Sequence, residues 1–335
     1  MQTPENTDEF DVIILGAGPA GCAAAIRARS AGLRVVMLDA NVGPRTAPGE
    51  TLHPGIEVLL EQLGVSEAVE RSGFQRHRGV WMNTDGTRVF LPYGADERGP
   101  WLGFQADRRT LHRLLQQAAV DANVTLLRNC RPVRVLLGCR GRVLGVELEG
   151  RRLHATWTLD ATGRSAWLAR SLELPTQRCS PQLCARFGWR KDGAKELDGQ
   201  PLFAFHLDGW DWIAPLGDDR AAWVELRVAV PGEPRPPGVD LTWTLRPSCA
   251  GPGFMLLGDA AGSLDPASSH GVLRALMSGI FASHLLAEQR RGAEEEAAID
   301  AYRTWFRALF EHDSTRLREL YRDSQAGPRF LLASA

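Results

Sequence analysis

Apolar residues near the start of the chain fall into two short, unbroken runs separated by an alanine-rich segment. Asp11–Leu15 (DVIIL) and Arg34–Leu38 (RVVML) show no polar alternation, the pattern of strands buried on both faces. Between them Pro19–Ser30 reads as a helix that opens on proline and stops near Gly32. Together these segments predict a βαβ unit with a short crossover. Thr110–Ala122 sets Leu111, Leu114, Leu115 and Ala118 on one helical face. Val124–Leu127, Val133–Leu137 and Val143–Leu148 predict strands, with GCRGR as the hairpin signal between the last two. From residue 200 to 230 apolar and polar positions alternate among many aromatics, which predicts antiparallel strands; the proline-rich connector PGEPRPPG follows. Phe254–Leu257 is again a buried strand, with a helix from Val272 to Gln289 after it. In the tail, Tyr302, Trp305, Phe306, Leu309, Phe310, Leu317, Leu320 and Tyr321 form a helical stripe expected to pack on its own domain.

Composition narrows the class. The chain has 335 residues, 44% hydrophobic and 24% charged, enough to bury a core in two packed units. A net charge of −1 gives no global electrostatic case for a nucleic-acid or anionic-membrane partner. No apolar run of spanning length occurs, and the polar start MQTPENTDEF does not read as a secretion signal. The six cysteines lack zinc or redox spacing, so a reduced, cytoplasmic protein without a metal site is expected. Of 39 basic residues only Lys191 and Lys195 are lysines, so chemistry that requires an amine has two candidates.

The first chemical motif is Gly16-Ala17-Gly18-Pro19-Ala20-Gly21. Gly16 permits the tight turn, Gly18 lets backbone approach a pyrophosphate, and Gly21 lets helix and strand pack closely. The start of the helix favours negative charge. Asp39, at the end of the second strand, is placed to accept from a ribose hydroxyl. This set indicates a dinucleotide without separating NAD from FAD. The second motif does separate them: Gly258-Asp259 ends a buried strand and opens GDAAGSLDPASSHGVLRALMSG.

With that run the sequence resembles the FAD family that includes aromatic hydroxylases, flavin-dependent halogenases and geranylgeranyl reductases. The resemblance implies that Asp259 holds the ribityl chain and that Pro266 lies beside the flavin ring. Gly271 and Val272 would bring a helix start to the pyrimidine edge, where backbone donors stabilise the anionic reduced ring. Arg108, in R-x-x-L, resembles the family arginine that reaches FAD. Asp160-Ala-Thr-Gly163 resembles the turn beside the dinucleotide, and Val133 stands where the family holds adenine through backbone.

GETLHP (Gly49, Glu50, Thr51, Leu52, His53, Pro54) and WDWIAP, with Trp210 and Trp212, resemble the halogenase-like branch. Alternation places both tryptophans on one sheet face, which core packing alone would also explain. Ser268-Ser269-His270-Gly271, with GETLHP, resembles flavoproteins that mature tryptophan-derived quinone cofactors in partner enzymes. His270 then either carries protons near the flavin or caps a turn. His53 borders the flavin and His206 lies on the substrate-side sheet.

The expected architecture is α/β: a Rossmann-like FAD domain of the aromatic-hydroxylase type, formed by residues 1–80, 100–172 and 248–290. A smaller antiparallel sheet (81–99 and 173–247) carries the substrate, and helices follow in 291–335. The resemblance implies hydroxylation of an electron-rich aromatic ring through a flavin C4a-hydroperoxide, with electrons from NAD(P)H or an external flavin reductase. One form of that substrate is a tryptophan residue on a partner protein. Halogenation is disfavoured because no lysine follows GETLHP in the first third of the chain. Reduction of an isoprenoid double bond and non-catalytic flavin binding stand as the other readings.

Overall fold

The computed structural model describes residues 7–43, 49–84, 86–217, 219–325, 327 and 329–330. At its centre Thr7–Leu15 pairs in parallel with Val35–Asp39 on one side and with Arg151–Asp160 on the other. Thr125–Arg128 extends the sheet beyond Val35–Asp39. The first strand starts at Thr7 rather than at Asp11, because Thr7–Phe10 align with Arg152–Ala155 of the long neighbouring strand. That long strand is shared. Its first half pairs antiparallel with Val143–Leu148, and its last three residues pair in parallel with Phe254–Leu256. The βαβ unit and the late GD motif thereby end side by side at one edge of the sheet, where an open α/β fold binds its ligands.

The Pro19–Ser30 helix is buried on both sides, with Cys22, Ala23, Ala24, Ala25 and Ala28 fully covered. Small side chains are needed because the Gly271–Arg290 helix lies directly against it. A Cβ on Gly279 would come within 2.3 Å of the Ala20 carbonyl oxygen and 2.8 Å of the Ala24 nitrogen. Across the same seam Ser283 Oγ donates to the Ala24 carbonyl at 2.8 Å.

A second sheet of seven strands runs Val239–Asp240, Leu183–Arg190, Arg220–Val228, Gly209–Gly217, Leu202–His206, Gly79–Thr84 and Thr87–Pro92. Every pairing is antiparallel except that of Leu202–His206 with Gly79–Thr84. Cross-strand register aligns Phe187, Val224, Trp212, Phe203, Met82 and Val89 in one row on the face turned toward the first sheet. The opposite face is covered in part by Ala194 and Leu197, packed against Ala221.

The C-terminal helix, Glu295–Arg322, is longer than its stripe suggests and buries Tyr302, Phe306, Phe310, Leu317 and Tyr321. It also buries a carboxylate, Asp313. Tyr302 donates to the Leu256 carbonyl at 2.7 Å, which fixes the helix to the strand leading into Gly258. Among the described residues no helix is long and apolar enough to cross a membrane.

Candidate active site

Between the two sheets lies a cleft of about 760 Å³, within the span of roughly 300–1,000 Å³ usual for cofactor sites. Its floor is the glycine turn. Gly16 has φ +102°, and a Cβ there would stand 2.5 Å from the Ala161 carbonyl oxygen. At Gly21 a Cβ would stand 2.0 Å from the Gly16 carbonyl oxygen. Gly18 differs from both. Its φ is −80°, open to any residue, and nothing lies within 4 Å of a Cβ built on it. The fold does not require glycine at 18, and its absence of a side chain leaves the backbone there open for a ligand to approach.

Gly16, Gly18, Pro19, Ala20 and Asp39 all border the cleft. Asp39 is buried and accepts from the Asn41 backbone N–H at 3.0 Å and from Gln116 Nε2 at 3.3 Å. Gln116 also donates to the Ala17 carbonyl and accepts from Arg128. Arg108, His112 and Gln116 follow at four-residue spacing on one helix and all reach the cleft. Only Arg108 was anticipated, although the spacing was visible in the sequence. Burial lowers the His112 imidazole to about 4, assisted by the Arg108 charge, so this ring is neutral at physiological pH. Arg108 pairs with Glu50 at 3.1 Å. Burial raises the Glu50 carboxyl while Arg108 opposes the rise.

The Asp160 turn is held by its own side chain, which accepts from Thr162 N and Oγ1 at 2.9 and 2.6 Å and from Leu168 N at 2.8 Å. Gly163 and Arg164 from that turn border the cleft. Val133 does not. Its side chain is exposed and its N–H donates to the Glu147 carbonyl, leaving Cys130, Arg131 and Pro132 to line this end.

At the other end Glu50, Thr51, Asp259, Pro266, Ser269, Gly271 and Val272 meet. Gly21, under the glycine turn, and Gly258 do not border the cleft; Gly258 N–H donates to Ser278 Oγ at 2.9 Å, which locks the GD turn to the helix. Arg274, in the first turn of that helix and almost fully buried, stands between Asp259 (3.8 Å) and Asp313 (3.6 Å). His270 is the residue before the helix, with Nδ1 at 3.4 Å from Asp313 Oδ1. It flanks the cleft rather than lining it, as does His53, whose ring meets His270 edge-on at 5.8 Å and Tyr93 at 5.2 Å. Burial, then the His270 charge, lowers the His53 imidazole, whose Nδ1 accepts from Gly55 N–H at 3.1 Å.

The wall opposite is Phe203, Trp210, Trp212 and Val224. His206 is absent from it. Strand alternation turns Phe203 and Phe205 inward and His206 away, onto Asp211 at 3.3 Å, which also pairs with Arg227. Neither lysine borders the cleft; Lys195 is exposed and pairs with Asp219 at 2.9 Å.

An open backbone at Gly18, helix starts at Pro19 and Gly271 and a buried acid at Asp39 fit a two-ended anionic dinucleotide. The family comparisons agree. Residues 11–175 match the family model described as FAD dependent oxidoreductase, and residues 99–324 match that described as Tryptophan halogenase. Digeranylgeranylglycerophospholipid reductase 2 of Methanopyrus kandleri is 30% identical over 84% of this chain and 77% of its own length. The myxobacterial chondrochloren halogenase CndH superposes with a TM-score of 0.84 at 21% identity, covering 95% of this chain and 83% of that one. PqsL of Pseudomonas aeruginosa, a probable FAD-dependent monooxygenase, gives 0.79 at 19% identity, covering 97% and 99%. Fold and cleft thus define a flavoprotein oxidoreductase. The chain belongs to the FAD-dependent oxidoreductases, in the family that the tryptophan halogenase model describes.

Proposed function

We propose that the protein hydroxylates an electron-rich aromatic ring, and that this ring is a tryptophan side chain presented by a partner protein. The observation that carries the reading is the wall of Phe203, Trp212 and Val224, apolar and aromatic, facing the start of the Gly271 helix with no lysine beside it. Bound reduced FAD supplies the activation of O₂. One oxygen atom enters the ring, the other leaves as water, and NAD(P)H or an external reductase provides the two electrons. The chain's own residues bind and orient. Phe203 and Trp212 border the cleft while almost fully buried, so the wall an aromatic substrate would meet is backed by packed core rather than by water. With Nδ1 turned to Asp313, His270 has Nε2 left for proton exchange.

The same sheet face bears on the size of the substrate. Beyond the cleft it carries Phe187 and Trp189 at one rim and Val89 and Leu91 at the other, each about half exposed. Apolar area of this kind, continuous with a site, suits a substrate much larger than one ring. A second reading, reduction of an isoprenoid double bond, is favoured by the 30% identity to a reductase of that kind.

Oxygen separates the two. Reduced holoenzyme is mixed with free tryptophan, with a tryptophan-bearing protein, or with a geranylgeranyl lipid, in the presence and absence of ¹⁸O₂. Hydroxylation predicts ¹⁸O on protein tryptophan and mostly hydrogen peroxide with the free amino acid. Anaerobic saturation of the lipid without label would establish the reductase, and tight coupling to free tryptophan would remove the partner protein from the proposal.

A further inference from the structure

The turn at the flavin end of the cleft, Asp265–His270, is held at both ends by one face of the C-terminal helix. Before the turn, Asp265 is almost fully buried, and its Oδ2 accepts from Tyr321 OH at 3.1 Å and from Trp243 Nε1 at 2.7 Å. Its Oδ1 accepts from Ala267 N–H at 2.9 Å, inside the turn itself. After the turn, His270 Nδ1 meets Asp313. Asp313, Leu317 and Tyr321 follow at four-residue spacing, so they share one helix face. Tyr321 reaches further still: its oxygen accepts from Trp210 Nε1 at 2.8 Å, and Trp210 belongs to the aromatic wall.

We infer that Tyr321 and Asp313 are positioning residues, which make the C-terminal helix the element that sets the flavin-edge turn and aligns the aromatic wall with it. Neither residue borders the cleft, so neither touches a ligand there. They act through Asp265, His270 and Trp210, and Asp313 also through Arg274, which stands 3.6 Å from it and borders the cleft. The turn needs such support because it contains Ser269 at φ +51°, a left-handed conformation that a non-glycine residue keeps only when its surroundings enforce it. Each end of the turn carries one acid–donor contact to the helix, and the wall adds a third contact through the same phenol. The inference requires that FAD lie against this turn; it does not require that ring hydroxylation follow.

The test compares two changes on this helix. Tyr321→Phe breaks the link to the turn, whereas Arg303→Met breaks a hydrogen bond from the same helix to the Ala250 carbonyl, outside the cleft. Purified full-length variants are titrated with FAD, and the visible circular dichroism of the bound cofactor is recorded. Tyr321→Phe should weaken FAD binding about tenfold, the worth of one buried hydrogen bond, and change the visible dichroism. Arg303→Met should lower thermal stability while leaving affinity and dichroism at wild-type values. Asp313→Asn should resemble Tyr321→Phe, and carries the prediction alone if the tyrosine variant does not accumulate folded. Equal effects of Tyr321→Phe and Arg303→Met on affinity and dichroism, or an unaltered cofactor signal in both Tyr321→Phe and Asp313→Asn, would overturn the inference. An altered signal without any hydroxylase activity would leave it standing and remove only the proposed reaction.

Discussion

Replacing two glycines of one motif should separate what the fold needs from what the ligand needs. At Gly21 a Cβ would lie 2.0 Å from the Gly16 carbonyl oxygen, more than 1 Å inside ordinary contact, and the atom it meets is backbone. Relief requires the first turn of the helix to move off the strand, against a seam that has no free space at Ala23 and Ala24. Overpacking of this kind costs about 3 kcal/mol, a large share of a domain's stability. Gly21→Ala should therefore lower the urea midpoint of the apoprotein and reduce its yield. At Gly18 the Cβ meets nothing and φ is −80°, so Gly18→Val should leave apoprotein stability within about 0.5 kcal/mol of wild type. The valine would instead occupy the place where backbone must touch phosphate, and FAD affinity should fall at least about a hundredfold, since contact with the first-turn N–H groups is lost. The assay is a pair of readings on each variant: the apoprotein urea midpoint, and the ratio of 450 nm to 280 nm absorbance after saturation with FAD and gel filtration. A yellow, stoichiometric Gly18→Val protein would refute the assignment of the turn, as would a Gly18→Val apoprotein as unstable as Gly21→Ala.

Acid should destabilise the protein partly through His77, which burial lowers from its ordinary value of 6.5 to about 4. Because the folded ring resists protonation and the unfolded one does not, its contribution is complete above pH 6.5 and is lost as pH falls toward 4, about 3 kcal/mol in all. Measured against wild type at each pH, so that other groups cancel, His77→Gln should lose correspondingly less stability between pH 7 and 4.5; parallel curves would show that His77 is not responsible. Replacing both lysines, Lys191→Arg with Lys195→Arg, should leave FAD content and oxygen consumption unchanged, since neither borders the cleft. Chloride should give no halogenated product in either protein, and a chlorinated product that disappears in the double variant would reverse the reading.

Segments whose environment is uniform were legible in the chain. The Pro19–Ser30 helix has the expected bounds because proline opens it and glycine follows it, both local signals. Trp210 and Trp212 share the inner face of their sheet because period-two alternation fixes that parity. The same rule places His206 outside, yet the residue type suggested chemistry and drew attention to it. Val133 fell near the cleft but on a sheet edge, where its N–H is already committed to Glu147. What could not be read was long-range. Asp265 and Tyr321 are bonded across 56 positions, and Trp210 and Tyr321 across 111. Within the tail helix the three-and-four spacing does put Asp313 on the buried face, between Phe310 and Leu317, but nothing local shows that it meets Arg274 and His270 there.

The close seam between the Pro19 and Gly271 helices has a consequence for which flavin the protein can accept. Both helices direct their positive ends into one cleft, and Gly279 against Ala20 and Ala24 leaves no room for them to slide or press closer, while Ser283 ties them together through the Ala24 carbonyl. The distance between the two poles is thus a fixed length built from backbone, independent of any side chain that touches the ligand. A cofactor is selected by whether it can span that length with negative charge at both stations. FMN and FAD bring the same ring to the Gly271 helix, but FMN reaches the Pro19 helix with a single phosphate and leaves the buried Asp39 without a ribose, whereas FAD brings a pyrophosphate and an adenosine.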